Sequence, residues 1–354
     1  MSARRVAWLL VAALVVIAFA IWVSSLRHLE RATTAGDLVL PGLERGVNTV
    51  TQVQLRKGNG TQVTLTRGDS GWLVAERGWP AEVSRVRKLL LDLGALNVVE
   101  EKTRLPANYP QLGVEDVTTP KASGILIDVS APPRTWALIV GKSSDAKAGY
   151  VRRADAPQTL LAAPLLSVDA DPKSWLEHAL LDIRAERVRE IAVQPAEGPA
   201  YSASRAKKED AHYGVSPLPK GRELSAPGAA DALGAALSGL TLEDVAKAPQ
   251  PAAAASAHAT FRTFDGLEIG LAGRKDGTRS LITVSAHPGE AQAAAEAQRL
   301  GGRLDGWEFE IPDYKYAALF TPLGELLKPL PEPAKKDKKD QKAPQVPPQP
   351  TSSP

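Results

Sequence analysis

The stretch from Val6 to Val23, VAWLLVAALVVIAFAIWV, holds 18 residues without a charge. A helix needs about 20 apolar residues to cross a bilayer, so this run is long enough, if slightly short. It constrains the remainder, because everything after it is then a soluble body carried on one side of a membrane. Arg4 and Arg5 precede the run, and Arg27 and Arg31 follow it. The first pair favours a cytoplasmic N-terminus and the second opposes it, but a long body translocates largely regardless of nearby charge. Trp8 and Trp22 stand near the two ends, where interfacial aromatics belong. Ala18-Phe19-Ala20 has the small-x-small form of a signal-peptide cleavage site. The apolar run continues past it through Val23, which favours a retained signal-anchor over a cleaved peptide. Residues 1–30 are therefore expected to form one transmembrane helix with its flanks, meeting membrane lipid through residues 6–23. The body is expected on the periplasmic, extracytoplasmic side of the inner (cytoplasmic) membrane.

That body must fold from its core alone, since the chain has no cysteine and hence no disulfide, thiolate nucleophile or cysteine-based metal site. Its 354 residues, 44% hydrophobic and 23% charged, suffice for two ordinary domains beside the anchor and a tail. The net charge of +3 is concentrated at the ends, in Arg4, Arg5 and the lysine-rich segment after Leu330. What remains on residues 24–330 is about −1, so the body has no basic field for DNA or RNA, and no nucleic acid partner is expected.

Residues 31–45 are expected to be a linker, punctuated by Gly36 and Pro41-Gly42. Val53 and Leu55 then lead into the turn Gly58-Asn59-Gly60, Val63 and Leu65 alternate with threonines, and Trp72 and Val74 follow a second turn. This predicts an antiparallel meander with one buried face. From Pro80, a helix is expected with Val83, Val86, Leu89, Leu90, Leu93 and Leu96 on one stripe. Ile125–Val129 and Trp136–Val140 flank Pro132-Pro133 as a hairpin, and Tyr150–Arg152 and Thr159–Leu161 supply further strands. The unit, residues 46–184, is expected to close with a helix from Pro164 and a turn at Asp171–Leu176. Residues 185–330 carry a similar order of features. Val188, Ile191 and Val193 match the first strand, Tyr201 and Ala203 the second, and Tyr213–Val215 the third. Leu233, Leu237 and Leu240 match Leu89, Leu93 and Leu96, and hairpin and strand signals follow at Phe261–Leu271, Leu281–Val284 and Trp307–Ile311, with a closing helix at Leu319–Leu327. The fold class expected is α+β, as two tandem repeats of antiparallel strands with packing helices. Residues 331–354 are rich in Pro, Lys and Gln, and are expected to be a disordered tail.

The meander ending in Gly71-Trp72-Leu73-Val74, the leucine-striped helix, Tyr109-Pro110-Gln111-Leu112-Gly113-Val114 and Tyr150-Val151-Arg152 together resemble the bacterial domain-of-unknown-function family 4340. The resemblance covers about Val50 to Leu180, and Val188 to Leu327 more loosely. It implies an envelope protein of the kind frequently encoded beside ABC-type exporters of the gliding-motility type, hence an accessory role with permease and ATPase subunits as partners. The resemblance brings no active site. The second unit has an alanine-rich stretch, Pro251 to His258, in place of the Leu-Gly loop.

No motif in the chain carries recognisable chemistry. The five histidines, His28, His178, His212, His258 and His287, show no ligand spacing. Ser144-Asp145-Ala146-Lys147 has the Ser-x-x-Lys pattern of penicillin-recognising enzymes but lacks the partner motifs and sits between glycines. Asp169, Asp171 and Glu177 lack the spacing of a calcium loop. Gly141-Lys142-Ser143 lacks the upstream glycine of a nucleotide loop, with Ala137 in its place. No catalytic residue, cofactor or metal is expected. The function expected is that of a membrane-anchored, non-enzymatic envelope protein serving as accessory or scaffold in an ABC-type export complex, with sheet edges or Leu112 and Gly113 as candidate partner contacts. The alternative is a module that binds envelope polymer or another ligand in a groove between the two repeats.

Overall fold

The structure, a computed structural model, describes residues 35–251 and 253–329. The anchor expected at 6–23 and the tail expected at 331–354 lie outside the described residues. Among those described, no helix is long and apolar enough to cross a membrane.

The stretch expected as a linker to residue 45 is in part folded. Val39, Leu40 and Leu43 are buried in the main core, Leu38 bridges Asn97, and a short helix, α1 (Leu43–Gly46), follows. Three apolar side chains in five residues were reason enough for burial. The expected meander forms as β1 (Gln52–Lys57), β2 (Gln62–Gly68) and β3 (Gly71–Val74), with a short β4 (Trp79–Pro80) added. Val53, Leu55, Val63, Leu65 and Val74 point to one side and are fully buried, as strict alternation requires.

The striped helix is α2 (Val83–Gly94), whose N-terminus is capped by the Glu82 carboxylate accepting from the Ser84 N–H. It buries Val86, Leu89, Leu90 and Leu93 and leads to β5 (Asn97–Glu101). A loop with the one-turn helix α3 (Tyr109–Leu112) precedes β6 (Ile125–Ala131), β7 (Arg134–Ser143), β8 (Gly149–Arg153) and β9 (Thr159–Ala163). The nine strands form one sheet in the order β4-β3-β2-β1-β6-β7-β8-β9-β5, so α2 connects one edge to the other and the sheet curls around its apolar stripe. The helix expected from Pro164 does not form. The Asp169 and Asp171 carboxylates accept backbone N–H groups of Asp171 and Lys173, which holds the chain in turns and a single 3-10 turn at Pro172–Trp175.

After β10 (Ala179–Leu181), which falls just before the expected boundary at residues 184 and 185, the second unit continues with β11 (Val188–Gln194), β12 (Tyr201–Ser204) and β13 (Gly214–Ser216). The helix expected over Leu233–Leu240 is only one turn, α4 (Asp231–Gly234), although Leu233, Leu237 and Leu240 are all buried. Gly239 takes a left-handed φ of 53°, which ends any helix there, and Leu240 starts β14 (Leu240–Thr241), paired with β10. Then follow β15 (Asp244–Lys247), β16 (Ala257–Thr263), β17 (Leu267–Asp276) and β18 (Arg279–Pro288). An unanticipated helix, α5 (Ala294–Leu304), buries Ala297, Leu300 and Leu304 before β19 (Trp307–Ile311). A second unanticipated helix, α6 (Asp313–Leu319), stops before Thr321-Pro322, because proline cannot continue a helix. Of the closing helix expected over Leu319–Leu327 only the single turn α7 (Leu323–Leu326) forms.

The second sheet runs β13-β12-β11-β16-β17-β18-β19-β15. Set beside β3-β2-β1-β6-β7-β8-β9-β5, it follows the same order strand for strand, antiparallel throughout. The units meet where β4 abuts the β19 and β15 edge. Trp79, 1% exposed, stands edge-on to Trp307 and Phe309, each with ring centroids 5.3 Å away, and its indole N–H donates to the Glu177 carbonyl at 3.0 Å.

Candidate functional site

The two sheets differ most on the face turned away from the core. On the first sheet, strand register sets Arg56, Leu126, Ile139, Arg152 and Thr159 side by side across five strands. The loop containing α3 lies over this row, and Tyr109, Val114 and Ile139 form a small second core with Leu112, Leu126 and Tyr150. Arg152, 4% exposed, organises the cover. Its guanidinium donates to the carbonyls of Val114 (2.9 Å) and Ala156 (3.2 Å) and to Asp116 (2.5 Å), and lies 4.8 Å from the Tyr109 ring centre.

Leu112 is half-buried and Gly113 is buried, so of the two expected contact residues only Leu112 reaches the surface. Gly113 ends α3 with a left-handed φ of 71°. The backbone there lies so close to β6 and β7 that only glycine fits beneath it. A Cβ on Gly141 would run into the Leu112 carbonyl and come 2.8 Å from Val114 Cγ1, and one on Gly124 would meet the Gly113 carbonyl. The Leu-Gly motif is therefore a packing device that seals this sheet face. The Lys142 ammonium donates to the Gln111 carbonyl at 3.0 Å, which closes the helix end.

On the second sheet the corresponding row is Gln194, His258, Ala272, Thr283 and Glu308. The connection from β15 to β16 carries no such loop, and the face is open. Beside this row, Ser216, Ser202, Ala192, Thr260, Gly270 and Ser285 align across six strands, all small. At about 4.8 Å per strand the small row spans about 24 Å. Two open hollows, about 450 and 410 Å³, occupy the face and share His258 and Thr260. Side chains this short let another polypeptide backbone approach the sheet closely.

A third hollow, about 370 Å³, lies at the junction of the units and is lined chiefly by charge. Arg77 reaches across from the β3–β4 turn to grip Asp244 with two hydrogen bonds of 2.7 and 3.2 Å. Burial pushes the Asp244 carboxyl up, but the Arg77 guanidinium and the Val245 N–H outweigh it and hold the group below the usual carboxylate range. The same bond raises Arg77 above its ordinary value. Lys173 approaches Asp244 and Glu310 at 3.4 and 3.7 Å, Arg279 binds Glu310 at 2.8 Å, and Arg274 binds Glu308 at 2.8 Å. Arg77, Asp244, Arg279, Glu308 and Glu310, all lining this groove, each already have a charged protein partner.

The motifs weighed above are dispersed. His178 sits 2.8 Å from the Leu242 carbonyl, His212 pairs with Asp231 at 2.7 Å, His258 and His287 stand on the open face, and His28 is outside the described residues. Asp145 accepts the N–H groups of Lys147 and Ala148, so Ser144–Lys147 is a tight turn. Asp169 binds Lys57 and Ser174, while Glu177 accepts from the Ala179 N–H. Gly141-Lys142-Ser143 lies in β7. Among the described residues no group of three His, Asp or Glu could hold a metal ion. Sequence reasoning missed the open face, because its rows become visible only once register is known.

Comparison with known families finds a match. The model described as Domain of unknown function (DUF4340) covers residues 72–259, more than half of the chain, from β3 across the junction into β16. No curated protein and no solved structure matches.

Proposed function

The chain belongs to the DUF4340 family, and on that premise we propose that it is a non-enzymatic scaffold, held at the membrane by residues 6–23, that docks a protein partner on the open face of its second sheet. We read the shared strand order as an internal duplication in which one copy kept the cover loop and the other gave it up. The partner is a component of an ABC-type export complex, permease or ATPase, an assignment that draws on the resemblance described above. The observation that supports docking is the contrast between equivalent rows. Leu126, Ile139 and Arg152 are covered by their own chain, while their counterparts His258, Ala272 and Thr283 have no such cover and lie beside a small-residue trough. Ligand or polymer binding in the groove between the units has less support, because Arg77, Asp244, Arg279 and Glu310 already satisfy one another there.

The test is co-purification of the full chain from gently solubilised membranes. Wild type is expected to bring transporter subunits with it, and Thr260→Arg or Ala272→Arg, each filling the trough, is expected to cut recovery by about tenfold. Failure of the wild-type chain to recover any transporter subunit counts against the export role. Unchanged recovery with both variants counts against the open face.

A further inference from the structure

A separate hollow of about 410 Å³ lies on the first unit, between the exposed side of α2 and the β2–β3 turn. Its floor is Trp72 and Leu90, only 9% and 5% exposed, while Val83 and Leu91 on its rim are 47% and 55% exposed. Val83, Arg87 and Leu91 follow one another at intervals of four along α2 and so stand on one stripe. This is the reverse of a solvent-facing helix surface, where apolar groups this exposed are isolated. Two arginines, Arg67 and Arg87, line the hollow and no acidic side chain does.

We infer that this groove rests on the anionic phospholipid surface of the membrane that carries the chain, with Val83 and Leu91 dipping between headgroups and Arg67 and Arg87 on their phosphates. The inference rests on the membrane reading of residues 6–23 given above. Two features single out lipid as the occupant. One wall of the groove is Val47 and Asn48, close to the N-terminal end of the described residues, so the groove is on the part of the body joined directly to the expected anchor. Only residues 24–34 lie between the uncharged run and the described body, and even fully extended they reach about 40 Å. The second feature is the pairing of exposed aliphatic side chains with two arginines that no acidic side chain of the groove opposes, Arg67 donating one N–H to the Asn48 carbonyl at 2.7 Å, the chemistry of an interfacial amphipathic surface. A protein partner would leave the arginines without a stated counter-charge.

The absence of cysteine permits a direct test on the full chain in nanodiscs. Single substitutions Leu91→Cys, Val83→Cys, Ser24→Cys and Asn59→Cys each receive an environment-sensitive fluorophore. Quenching by spin-labelled lipid is compared in discs with phosphatidylglycerol and in discs of phosphatidylcholine alone. Lipid quenching at positions 91 and 83, absent at the β1–β2 turn position 59 and stronger with phosphatidylglycerol, is the expected result. Arg67→Glu and Arg87→Glu are each expected to reduce it by about fivefold or more, the worth of one basic residue at an anionic surface. Quenching at position 24 without quenching at 91 and 83 overturns the inference while leaving the anchor intact. Labels at 91 and 83 shielded from both lipid and aqueous iodide also overturn it, in favour of a protein or a second copy. No quenching at position 24 refutes the membrane reading itself. Thermal unfolding of each variant checks that the body remains folded.

Discussion

Trp79 is one of the side chains through which the two units hold one another, beside the Arg77–Asp244 pair, and its removal has a calculable consequence. It belongs to the edge strand of the first sheet, yet its two ring contacts, Trp307 and Phe309, belong to the second. Truncating a buried tryptophan to alanine costs about 3–5 kcal/mol, within which each edge-on aromatic pair accounts for about 0.5–1.5 kcal/mol. The Glu177 carbonyl also loses its indole donor, a further penalty of about 1 kcal/mol. Trp79→Ala should therefore lose about 4–6 kcal/mol. For a body of about 300 residues, with about 2.1 cal/mol/K of unfolding entropy per residue, that lowers Tm by about 6–10 °C. The assay is urea and thermal unfolding followed by circular dichroism, with Phe309→Leu and the double variant completing a cycle. A coupling energy of about 1 kcal/mol between positions 79 and 309 is expected. The Trp79→Ala transition should also broaden or split as the units cease to unfold together. A loss below about 1 kcal/mol, or strict additivity with Phe309→Leu, would refute the claim that this ring couples the units.

Two shorter predictions concern the junction and the cover loop. Asp244 has a folded pKa held below its unfolded value, so the stability it contributes is present above the ordinary carboxylate range near pH 4 and is lost as pH falls through the lower folded pKa. Asp244→Asn should destabilise the protein at neutral pH and flatten the acid limb of a Tm-against-pH curve; an unchanged acid limb would show that the carboxylate is not linked to folding. Gly141→Ala puts a methyl group against Leu112 and Val114 and should cost about 1–3 kcal/mol, with amide exchange rising first in residues 105–124. Uniform exchange across the sheet would indicate that the loop is not the element displaced.

Alternation made the meander legible, since Val53, Leu55, Val63 and Leu65 report their burial through a period of two alone. The stripe of α2 was equally plain from Val86 on, whereas Val83, expected on it, is 47% exposed. Leucine spacing misled at Leu233, Leu237 and Leu240, because burial at such intervals is also met by a turn, a bend and a strand when Gly234 and Gly239 interrupt the helix. The helix α5 was obscured by alanines, whose contrast with their polar neighbours is too weak to announce a buried face. At the candidate site the limitation was register. Tyr109–Val114 could be recognised as a structured loop, but that Gly113 would be buried depends on Gly124 and Gly141 lying beneath it. Likewise Ser202, Ala192, Thr260 and Gly270 are unremarkable singly, and become a trough only when four strands pair in one particular alignment.

On the duplication proposed above, the loss of the cover loop and the change of the row beneath it are coupled, and that coupling can be tested by transplanting one unit's solution into the other. If the second sheet had kept residues like Leu126 and Ile139 after losing its roof, it would carry an exposed apolar band across adjacent strands, an aggregation hazard. Instead His258 and Ala272 occupy those positions, and Thr283 stands where the first sheet has Arg152. Replacing residues 102–124 by the sequence of residues 248–256 gives the first sheet the shorter connection that already joins β15 to β16. This swap should expose Leu126, Ile139 and Tyr150 and strand the Arg152 guanidinium without Val114 and Asp116, producing hydrophobic-dye binding and soluble oligomers by light scattering. Adding Leu126→His, Ile139→Ala and Arg152→Thr should restore a non-aggregating fold, because the face then has the chemistry that the second sheet tolerates in water. A swapped chain that stays monodisperse without these substitutions would mean that the loop is not needed as a roof, and the openness of the second sheet would lose its significance. Aggregation that persists with all three would mean that the loop also holds β5 or β6 in register, a role distinct from covering the row.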